Sequence, residues 1–451
     1  MMFKTFRIGG IHPEENKITA EIETCVAELP QQAFFPLSQH IGAPAVPIVK
    51  KGDKVKVGTK IAEAGGPVSA PVHSSVSGTV TKIGTIIDAT GYNKPVIIIK
   101  TEGDEWEESI DRSDALETLD GHDGLTPEYI ITRIRDAGIT GMGGAGFPTY
   151  VKLTPPSTSK IDCVIINAVE CEPYITSDYR LMMEHADEIL VGVKLVLMAV
   201  SAPVAYIGIE RNKPAAIRLF QEKTIGERSI KVVPLEQKYP QGGEKQLIDA
   251  VTRRQVPDPP AIPANVGTVV VNVGTAFAVY QAVMKNKPLF ERYTSVSGKH
   301  ICQPKNFLVR MGTPISQLID ACGGLPDGDN KIIAGGPMMG KALMTTGVPV
   351  CKGTNSITVL SGKEAVRDGA TGPCIRCAKC VGVCPMGLEP YVLATSSAAH
   401  NWEMAEEHFI TSCIECGSCQ YTCPANRPML DNIRFGKSKV MTIIRARKQK
   451  S

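Results

Sequence analysis

The sequence predicts a multidomain fold of the class α/β plus β, with four units in series. Three patterns lead to this prediction. Short β runs alternate with Gly, Pro and Lys turns over residues 33–100, strands alternate with helices from Thr126 onward, and eight of the 14 cysteines lie in two runs near the C-terminus. A chain of 451 residues has room for about three domains. The predicted units are an N-terminal β module (1–125), an α/β domain (126–290), a small α+β unit (291–365), a cysteine-rich helical domain (366–430) and a basic tail (431–451).

The bulk composition is that of a soluble globular protein. Hydrophobic residues make up 43% and charged residues 21%, and the net charge of +3 is too small to indicate a nucleic-acid partner. The longest apolar stretch, near Ile189–Val200, contains Lys194 and is shorter than the roughly 20 residues that a bilayer-spanning helix needs. No signal-peptide-like run stands at the N-terminus. We therefore expect a soluble or peripheral protein in a reducing cytoplasm, where the six cysteines outside the two runs are packed free thiols.

Within the β module, the stretches 49–58 and 69–80 resemble the biotinyl/lipoyl barrel-sandwich fold. In that fold a hairpin presents a lysine for attachment of the prosthetic group. The corresponding hairpin here reads Val72-His73-Ser74-Ser75, so we expect an unmodified domain. His73 is a candidate ligand or an ordinary turn residue. The acidic segment 102–123, with ten Asp or Glu and one Arg, predicts a solvated linker.

The α/β domain and the units after it are predicted from apolar strands that alternate with helices. Thr126-Pro127-Glu128 has the residue types of a helix start. The alternation that follows implies a mainly parallel sheet. Strands are predicted at Cys163–Asn167, Val204–Ile209 and Lys231–Pro234, and helices around Ala186–Val200, Pro214–Lys223, Ile315–Cys322 and Leu388–Thr411.

Two cysteine runs predict a pair of [4Fe–4S] clusters. Both have the spacing C-x2-C-x2-C-x3-C-P, the bacterial pattern for this cluster. In two-cluster ferredoxins, the fourth cysteine of each run ligates the other cluster. Structural zinc, which uses two short ligand pairs, and disulfides explain this spacing less well. We therefore assign Cys374, Cys377, Cys380 and Cys423 to one cluster, and Cys384, Cys413, Cys416 and Cys419 to the other.

A glycine-rich loop near the start of the α/β domain is a candidate anion site. It reads Gly141-Met142-Gly143-Gly144-Ala145-Gly146-Phe147-Pro148-Thr149 and is followed by Lys152. Glycines let backbone N–H groups approach an anion closely, and a lysine supplies a compensating charge. On its own, such a loop is as often a structural turn as a phosphate cradle.

Four motifs of this domain resemble, in the same order, those of the FMN- and NADH-binding flavoprotein of respiratory complex I. They are the glycine-rich loop, Asn167-Ala-Val-Glu170-Cys-Glu172-Pro173, Tyr239-Pro-Gln-Gly242-Gly-Glu244 and Val271-Asn272-Val-Gly274-Thr275. Two departures are Gly243 and Gly274, which replace acids of that family. A third is the presence of two cluster motifs where that family has one cluster-binding segment. The order of units, which begins with Gly9-Gly10-Ile11-His12-Pro13, resembles the RnfC family of the Rnf complexes over essentially the whole chain.

This resemblance implies a barrel-sandwich N-terminal module, a Rossmann-like FMN/NADH domain, a β-grasp (SLBB-like) unit and a two-cluster ferredoxin domain. It implies two [4Fe–4S] clusters, FMN and NAD(H) as cofactors, with the flavin between the two-electron nicotinamide and the one-electron clusters. The loop amides would hold the FMN phosphate, and Phe147 would stack on a nucleotide ring. The implied cofactor-binding residues are Gly141, Gly143, Gly144, Ala145, Gly146, Phe147, Lys152, Asn167, Tyr239, Gly242, Asn272 and Thr275. The implied catalytic residues are the carboxylates Glu170, Glu172 and Glu244, as acceptors for ribose hydroxyls or the nicotinamide carboxamide.

The resemblance also implies a function in membrane-linked electron transport. The chain is expected to be the peripheral, NAD(H)-oxidoreducing subunit of a ferredoxin:NAD+ oxidoreductase of the translocase class, which its partners couple to ion translocation. Expected partners are the membrane-integral and the ferredoxin-interacting iron–sulfur subunits of the Rnf complex, at the cytoplasmic face of the bacterial cell membrane, with no nucleic acid. Two alternatives stay open. One is a soluble flavin and iron–sulfur cobalamin reductase of a bacterial microcompartment, and the other is a non-enzymatic iron–sulfur electron relay, which the two lost acids would favour.

Overall fold

The structure, a computed structural model, describes residues 3–122, 124–156, 158–365 and 369–450. The chain forms four units that an N-terminal strap ties together. Within the described ranges, no helix is both long enough and apolar enough to cross a membrane.

The strap, residues 3–27, packs on units that come much later in the sequence. Ile11 forms an antiparallel bridge with Tyr239 of the α/β domain. Strand β1 (Thr24–Val26) then pairs in parallel with residues 306–308 of the α+β unit. The first 27 residues therefore bridge two other units, although the sequence prediction placed them in the β module.

The β module is a sandwich of two small sheets. Its strands are β2 (Gln32–Pro36), β3 (Val46–Pro47), β4 (Lys54–Val55), β5 (Lys60–Glu63), β6 (Val72–His73), β7 (Ser77–Ile87) and β8 (Asn93–Gly103). One sheet has the order β2-β8-β7-β4 and the other β3-β5-β6. Their inner faces share an apolar core that includes Phe35, Ile61 and Ile97. His73 lies on β6, where burial lowers its pKa to about 3, and not in a turn.

The α/β domain is built on a four-stranded parallel sheet. Its strands are β9 (Cys163–Ala168), β10 (Ala205–Glu210), β11 (Ile230–Leu235) and β12 (Thr268–Asn272). Its helices are α1 (Pro127–Asp136), α2 (Thr149–Lys152), α3 (Ser177–Glu184), α4 (Ala186–Ala199), α5 (Pro214–Lys223), α6 (Glu244–Thr252) and α7 (Val273–Met284), with a 3-10 turn at Pro263–Val266. The strand order is β11-β10-β9-β12. Helices cover both faces, so β9 is apolar along its length: Val164 and Ile166 belong to one core and Ile165 to the other.

The small α+β unit is a six-stranded mixed sheet that incorporates β1. Its own elements are β13 (Glu291–Ser297), β14 (Lys305–Arg310), α8 (Ile315–Asp320), β15 (Asn330–Ala334), β16 (Lys341–Ala342), β17 (Ser356–Ser361) and a 3-10 turn at Gly362–Glu364. The strand order is β1-β14-β13-β17-β15-β16.

The cysteine-rich domain consists of two halves with the same layout. Its helices are α9 (Lys379–Gly382), α10 (Pro390–Ala398), α11 (Trp402–Glu407), α12 (Ser418–Tyr421) and α13 (Met429–Lys450), with a 3-10 turn at Ile410–Ser412. In each half a cysteine loop leads into a short helix, α9 or α12, and then into a longer one, α10 or α13. Helix α13 packs on α10 and α11 through side chains such as Ile433 and Val440. The predicted boundary at residue 430 therefore falls inside a helix, and the first part of the predicted basic tail belongs to this domain.

Candidate functional site

The candidate site lies where the strand order of the α/β domain reverses. The chain passes from β9 to β10 and β11 on one side and returns with β12 on the other side of β9. Open α/β sheets bind ligands in the crevice outside the carboxyl ends of the strands at such a switch point. Asn167 of β9 and Asn272 at the end of β12 are partners in register there. The Oδ1 atom of Asn272 caps α7 by accepting from the amides of Gly274 (2.9 Å) and Thr275 (3.3 Å), and Nδ2 of Asn167 donates to the carbonyl of Gly242 (2.9 Å).

The glycine-rich loop is fixed at the same crevice. The amide of Gly141 donates to the carbonyl of Phe147 (2.8 Å), which closes the loop, and the amide of Met142 donates to Oγ1 of Thr275 (2.9 Å) at the start of α7. Gly144 has a φ of 129°, a conformation that favours glycine. Residues 143–145 are exposed, so their backbone is open to a ligand. The loop thus offers a preformed cradle for an anion, as the sequence predicted for a phosphate.

A cation stands beside this loop. Nζ of Lys152, the last residue of α2, lies 2.7 Å from Oε1 of Glu244 and donates to the carbonyl of Val270 (3.1 Å). Both charged side chains are about one-third exposed, with values of 32% and 41%. The geometry joins two residues that the sequence assigned separately, Lys152 to the flavin and Glu244 to the nucleotide.

Glu170 is engaged with the protein backbone. Its carboxylate accepts from the amides of Asp178 (2.7 Å) and Tyr179 (3.3 Å) and so caps α3. Asp178, which the sequence did not single out, accepts from Nδ2 of Asn272 (2.7 Å) and so reaches the crevice. Burial, followed by the nearby charge of Glu170, raises the pKa of Asp178 to about 7. A lone aspartate at a helix start gives no sequence signal for this role.

Glu172 connects the site to the α+β unit. Its carboxylate accepts from the amides of Met339 (2.7 Å) and Met338 (3.1 Å), and burial raises its pKa to about 7. Beneath it, Nζ of Lys17 from the strap donates to the carbonyls of Glu170 (2.7 Å), Glu172 (2.8 Å) and Ile175 (2.7 Å). Lys17 therefore holds the Glu-Cys-Glu-Pro turn in place, and its distance from that turn in sequence hid this contact.

The two cysteine loops share one backbone conformation. Arg376 and Ala378 in the first loop have φ values of 55° and 57°, and Glu415 and Gly417 at the same loop positions have 58° and 77°. Left-handed residues interleaved with the ligand cysteines turn successive N–H groups to one side, as in the anion-binding nests around iron–sulfur clusters. Three of these four residues are not glycine, so the strain indicates a function for the loop.

The second loop and the last cysteine of the first run enclose a common cavity. It is lined by apolar side chains and by Cys384, Cys413, Cys416 and Cys419, which are the four ligands that the crossed assignment predicts for one cluster. Burial raises the pKa of Cys413 to about 12. In the described residues no three His, Cys, Asp or Glu side chains converge on a single metal ion. A four-iron cluster takes one cysteine on each iron, so its ligands surround a larger group than one ion. We call this set the inner cysteines.

The other four ligands lie at the surface. Cys374 and Cys377 are exposed, Cys423 is half-buried and Cys380 is buried. The backbone N–H of Arg376 lowers the pKa of the Cys374 thiol, with a smaller contribution from Arg427. We call this set the outer cysteines. The two sets therefore differ in their access to solvent.

The inner cysteines pack against the α/β domain and the strap. Tyr239 is only 2% exposed, and next to it Cys171 packs against Tyr239 and Cys416 in one apolar cluster. Further contacts come from the strap and from α6. The hydrogen bonds across this boundary run from Tyr239 Oη to the Cys416 carbonyl (2.8 Å), from the Gly10 amide to the Val383 carbonyl (2.9 Å), from Gln246 Nε2 to the Pro385 carbonyl (3.1 Å) and from Ser412 Oγ to Asp258 Oδ1 (2.7 Å).

Comparison with known proteins decides the family. The chain is 44% identical over 442 residues to the C-type subunit of the "Proton-translocating ferredoxin:NAD(+) oxidoreductase complex" of Clostridium ljungdahlii, covering 97% of this chain and 94% of that protein. It is 42% identical to the corresponding subunit of the Na(+)-translocating complex of Acetobacterium woodii, covering 97% of each chain, and 40% identical to that of the "Ion-translocating oxidoreductase complex" of Rhodobacter capsulatus, covering 96% and 82%. The chain belongs to the RnfC family. The predicted family is thereby confirmed.

Domain families match this RnfC-family chain along its length. The descriptions are "RnfC Barrel sandwich hybrid domain" (4–104), "Nuo51 FMN-binding domain" (134–281), "SLBB domain" (293–342) and "4Fe-4S dicluster domain" (366–430). They confirm the predicted fold class and the prediction of FMN and [4Fe–4S] clusters as cofactors. Two solved chains of NAD+-reducing [NiFe]-hydrogenase, at 22% and 20% identity, match with TM-scores of 0.46 and 0.47, which are too low to support an argument. They cover 62% and 70% of this chain and 54% and 62% of the hydrogenase chains.

The residues of this RnfC-family chain fit the groups that its domain families imply. An open glycine loop, a lysine and amide side chains at a switch point are suited to a flavin phosphate. The cavity of the inner cysteines supplies four thiols in apolar surroundings, which suits a [4Fe–4S] cluster. Asn167, Asn272 and Thr275 are held at the crevice, whereas Tyr239 and Glu172 are committed to contacts with Cys416 and the Met338–Met339 amides. The roles of the individual residues stay predictions.

Proposed function

We propose that this chain is the peripheral subunit through which an ion-translocating Rnf complex exchanges electrons with NAD(H). Electrons would pass between a nicotinamide nucleotide and an FMN at the switch-point crevice, then between the flavin domain and a partner by way of the two clusters. The relatives with the highest coverage are named as parts of ferredoxin:NAD(+) oxidoreductase complexes, which supports this assignment. It also favours the Rnf role over a microcompartment reductase.

The hydrogen bond between Tyr239 and Cys416 carries the proposal. Tyr239 opens the Tyr-x-x-Gly-x-Glu motif of the flavin domain, and Cys416 is an inner cysteine. A direct contact between the two supports a position of one cluster against the flavin domain, and the exposed outer cysteines support a position of the other toward solvent. This order from a crevice to a buried set and then to an exposed set is the arrangement that an electron path to a partner requires.

The side chains of the crevice would bind and orient the cofactors. The exposed backbone of residues 143–145 is the candidate phosphate cradle, and Lys152 beside it supplies the positive charge that a buried phosphate needs. Glu244, freed from Lys152 by a competing phosphate, would accept from a ribose hydroxyl. Bound flavin supplies the chemistry that joins two-electron hydride exchange to one-electron transfer. The task of the protein is to position it.

We further propose that the chain works at the cytoplasmic face of the bacterial membrane and is held there by its partners. The predicted partners are the membrane-integral and the ferredoxin-interacting iron–sulfur subunits. The exposed outer cysteines support a docking site for one of them on the cluster domain. The exposed basic residues at the end of α13, such as Arg445 and Arg447, are a second candidate contact for an acidic partner or for anionic lipid.

The test is an anaerobic titration with NADH of the full chain reconstituted with FMN and iron and sulfide. We expect NADH to bleach the flavin and then to give the EPR signals of two reduced clusters. Gly144→Asp should abolish both effects, because a carboxylate would enter the phosphate cradle. Gly52→Asp is the matched control, since Gly52 also has a positive φ (95°) and open space around its Cβ position, but lies in a turn of the β module. Intact clusters in a chain that neither binds flavin nor responds to NADH would instead support the electron relay.

A further inference from the structure

The β module touches the glycine-rich loop directly. The amide of Ile41 donates to the carbonyl of Gly146 (3.1 Å), and a Cβ at Gly146 would lie 3.5 Å from the carbonyl oxygen of Gln39. On the other side of the loop, Oη of Tyr150 donates to the carbonyl of Pro67 (2.6 Å). A domain that the complex I flavoprotein does not have therefore forms an edge of the candidate site.

This edge is fixed by a buried lysine from the α+β unit. Lys352 is 0% exposed, and its backbone amide donates to Oε1 of Gln39 (3.1 Å). Its Nζ atom donates to the carbonyl of Pro71 in the β module (2.6 Å) and to that of Gly138 in the α/β domain (2.8 Å). A lysine is rarely buried to this extent, so three units meet here in a defined geometry. The position of segment 39–41 beside the loop is thus set by the fold.

Ile41 leaves its side chain uncommitted. Its backbone makes the contact with Gly146, while the residue as a whole is 50% exposed beside the exposed residues 143–145. An apolar side chain next to a polar cradle gains nothing from that position in the folded chain alone. Ligand sites combine such apolar surface with a few polar groups, because flat rings bind to the former and phosphates to the latter.

We propose that segment Gln39–Ile41 of the β module is a wall of the pyridine-nucleotide site, with Ile41 packing against a ring of the bound dinucleotide. This inference rests on the proposed function, because it assumes that NAD(H) binds at the glycine-rich loop. It assigns a binding role to the barrel-sandwich domain, which carries no lysine for a prosthetic group in its hairpin. Lys352 is a positioning residue for this wall.

The test is equilibrium binding of NADH, followed by its fluorescence, to the flavin-loaded full chain and its variants. Ile41→Glu should weaken NADH binding by about tenfold or more, because it removes apolar contact and places a negative charge near the anionic nucleotide. Ile41→Val should stay within about twofold of the parent chain. Ile48→Glu is the matched control, since Ile48 is 53% exposed in the same module and should leave binding unchanged. FMN content, cluster EPR and melting temperature should be unchanged in all three variants.

The outcomes separate this inference from the proposed function. If the parent chain binds NADH and Ile41→Glu binds it equally well, the wall is wrong and the proposed function stands. If the parent chain loaded with FMN does not bind NADH at all, the proposed function itself fails. A selective loss in Ile41→Glu with intact FMN binding supports the wall. An equal loss in Ile48→Glu would show a general charge effect and would overturn it.

Discussion

Tyr239 donates a hydrogen bond of 2.8 Å from its hydroxyl group to the backbone carbonyl of Cys416. The two residues are 177 positions apart and belong to the flavin domain and to the inner cysteine loop. Tyr239 is also held by Ile11 of the strap, with which it exchanges two backbone hydrogen bonds of 2.9 Å. Three parts of the chain thus meet at one buried side chain, and the spacing between the flavin domain and the inner cysteines is fixed there.

We expect Tyr239→Phe to slow electron transfer to the clusters without changing flavin reduction by NADH. The variant leaves the Cys416 carbonyl without its partner, and a net loss of about 1 kcal/mol corresponds to roughly a fivefold slower step. Stopped-flow absorbance reports flavin reduction, and rapid-freeze EPR reports cluster reduction. Tyr280→Phe is the control, because Tyr280 is equally buried and accepts a hydrogen bond from the Glu117 amide far from the cysteines. Equal cluster rates in all three chains would contradict the role of Tyr239.

We expect Cys384→Ala to abolish the inner cluster, although Cys384 belongs to the first cysteine run. The cavity that it lines is otherwise built from cysteines of the second run. The EPR spectrum of reduced Cys384→Ala should therefore match that of Cys413→Ala. If each run instead held its own cluster, the spectrum would match that of Cys374→Ala. Cys322→Ala, which removes a fully buried thiol of the α+β unit, should leave both signals in place.

Elements and motifs could be predicted well from the sequence because their signals are local. The bounds of α5 and the cap of α1 by Thr126 follow from residues that are neighbours in the chain. The spacing of the cysteine runs and the order of the flavin motifs likewise indicate the chemistry of the site. Contacts between distant segments were not predictable in this way, because no local pattern reports them.

Lys17 and Lys352 show what such contacts contribute. Each is a buried lysine whose Nζ atom donates to backbone carbonyls of another unit. A lysine in a loop is typical of an exposed position, so no sequence signal places either of them beside the site. The same holds for the strap, whose strand β1 is completed only by residues 306–308.

We expect Lys152→Met to weaken FMN binding by about ten- to hundredfold, since charge-assisted hydrogen bonds contribute about 1.5–3 kcal/mol. Methionine keeps the apolar stem and removes only the charge that the phosphate would share with Glu244. FMN affinity can be measured by quenching of flavin fluorescence on titration of the deflavinated chain. Lys223→Met is the control, because Lys223 forms an ion pair of the same length class with Asp187 (2.8 Å) at the surface of the same domain. Equal affinities for the two variants would remove Lys152 from the phosphate site.

We expect Glu210→Gln to stabilise the chain increasingly as the pH rises from about 4.5 to about 7. Glu210 ends β10 at 1% exposure, and burial raises its pKa from 4.5 to about 7, against the opposing charges of Lys213 and Lys17. Between these two values the folded chain holds a proton that the unfolded chain has lost. Its free energy of unfolding therefore falls as the pH rises through this window.

Glutamine does not titrate, so the variant escapes this loss. The difference in stability between the variant and the parent chain should reach on the order of 1–3 kcal/mol at neutral pH and shrink toward pH 4.5. Melting temperatures of the full chain across this range provide the measurement. Glu128→Gln, at an exposed site in the first turn of α1, controls for the removal of one carboxylate. Parallel melting curves for the parent chain and Glu210→Gln at every pH would show that Glu210 stays ionised in the fold, with Lys213 and Lys17 compensating its burial in full.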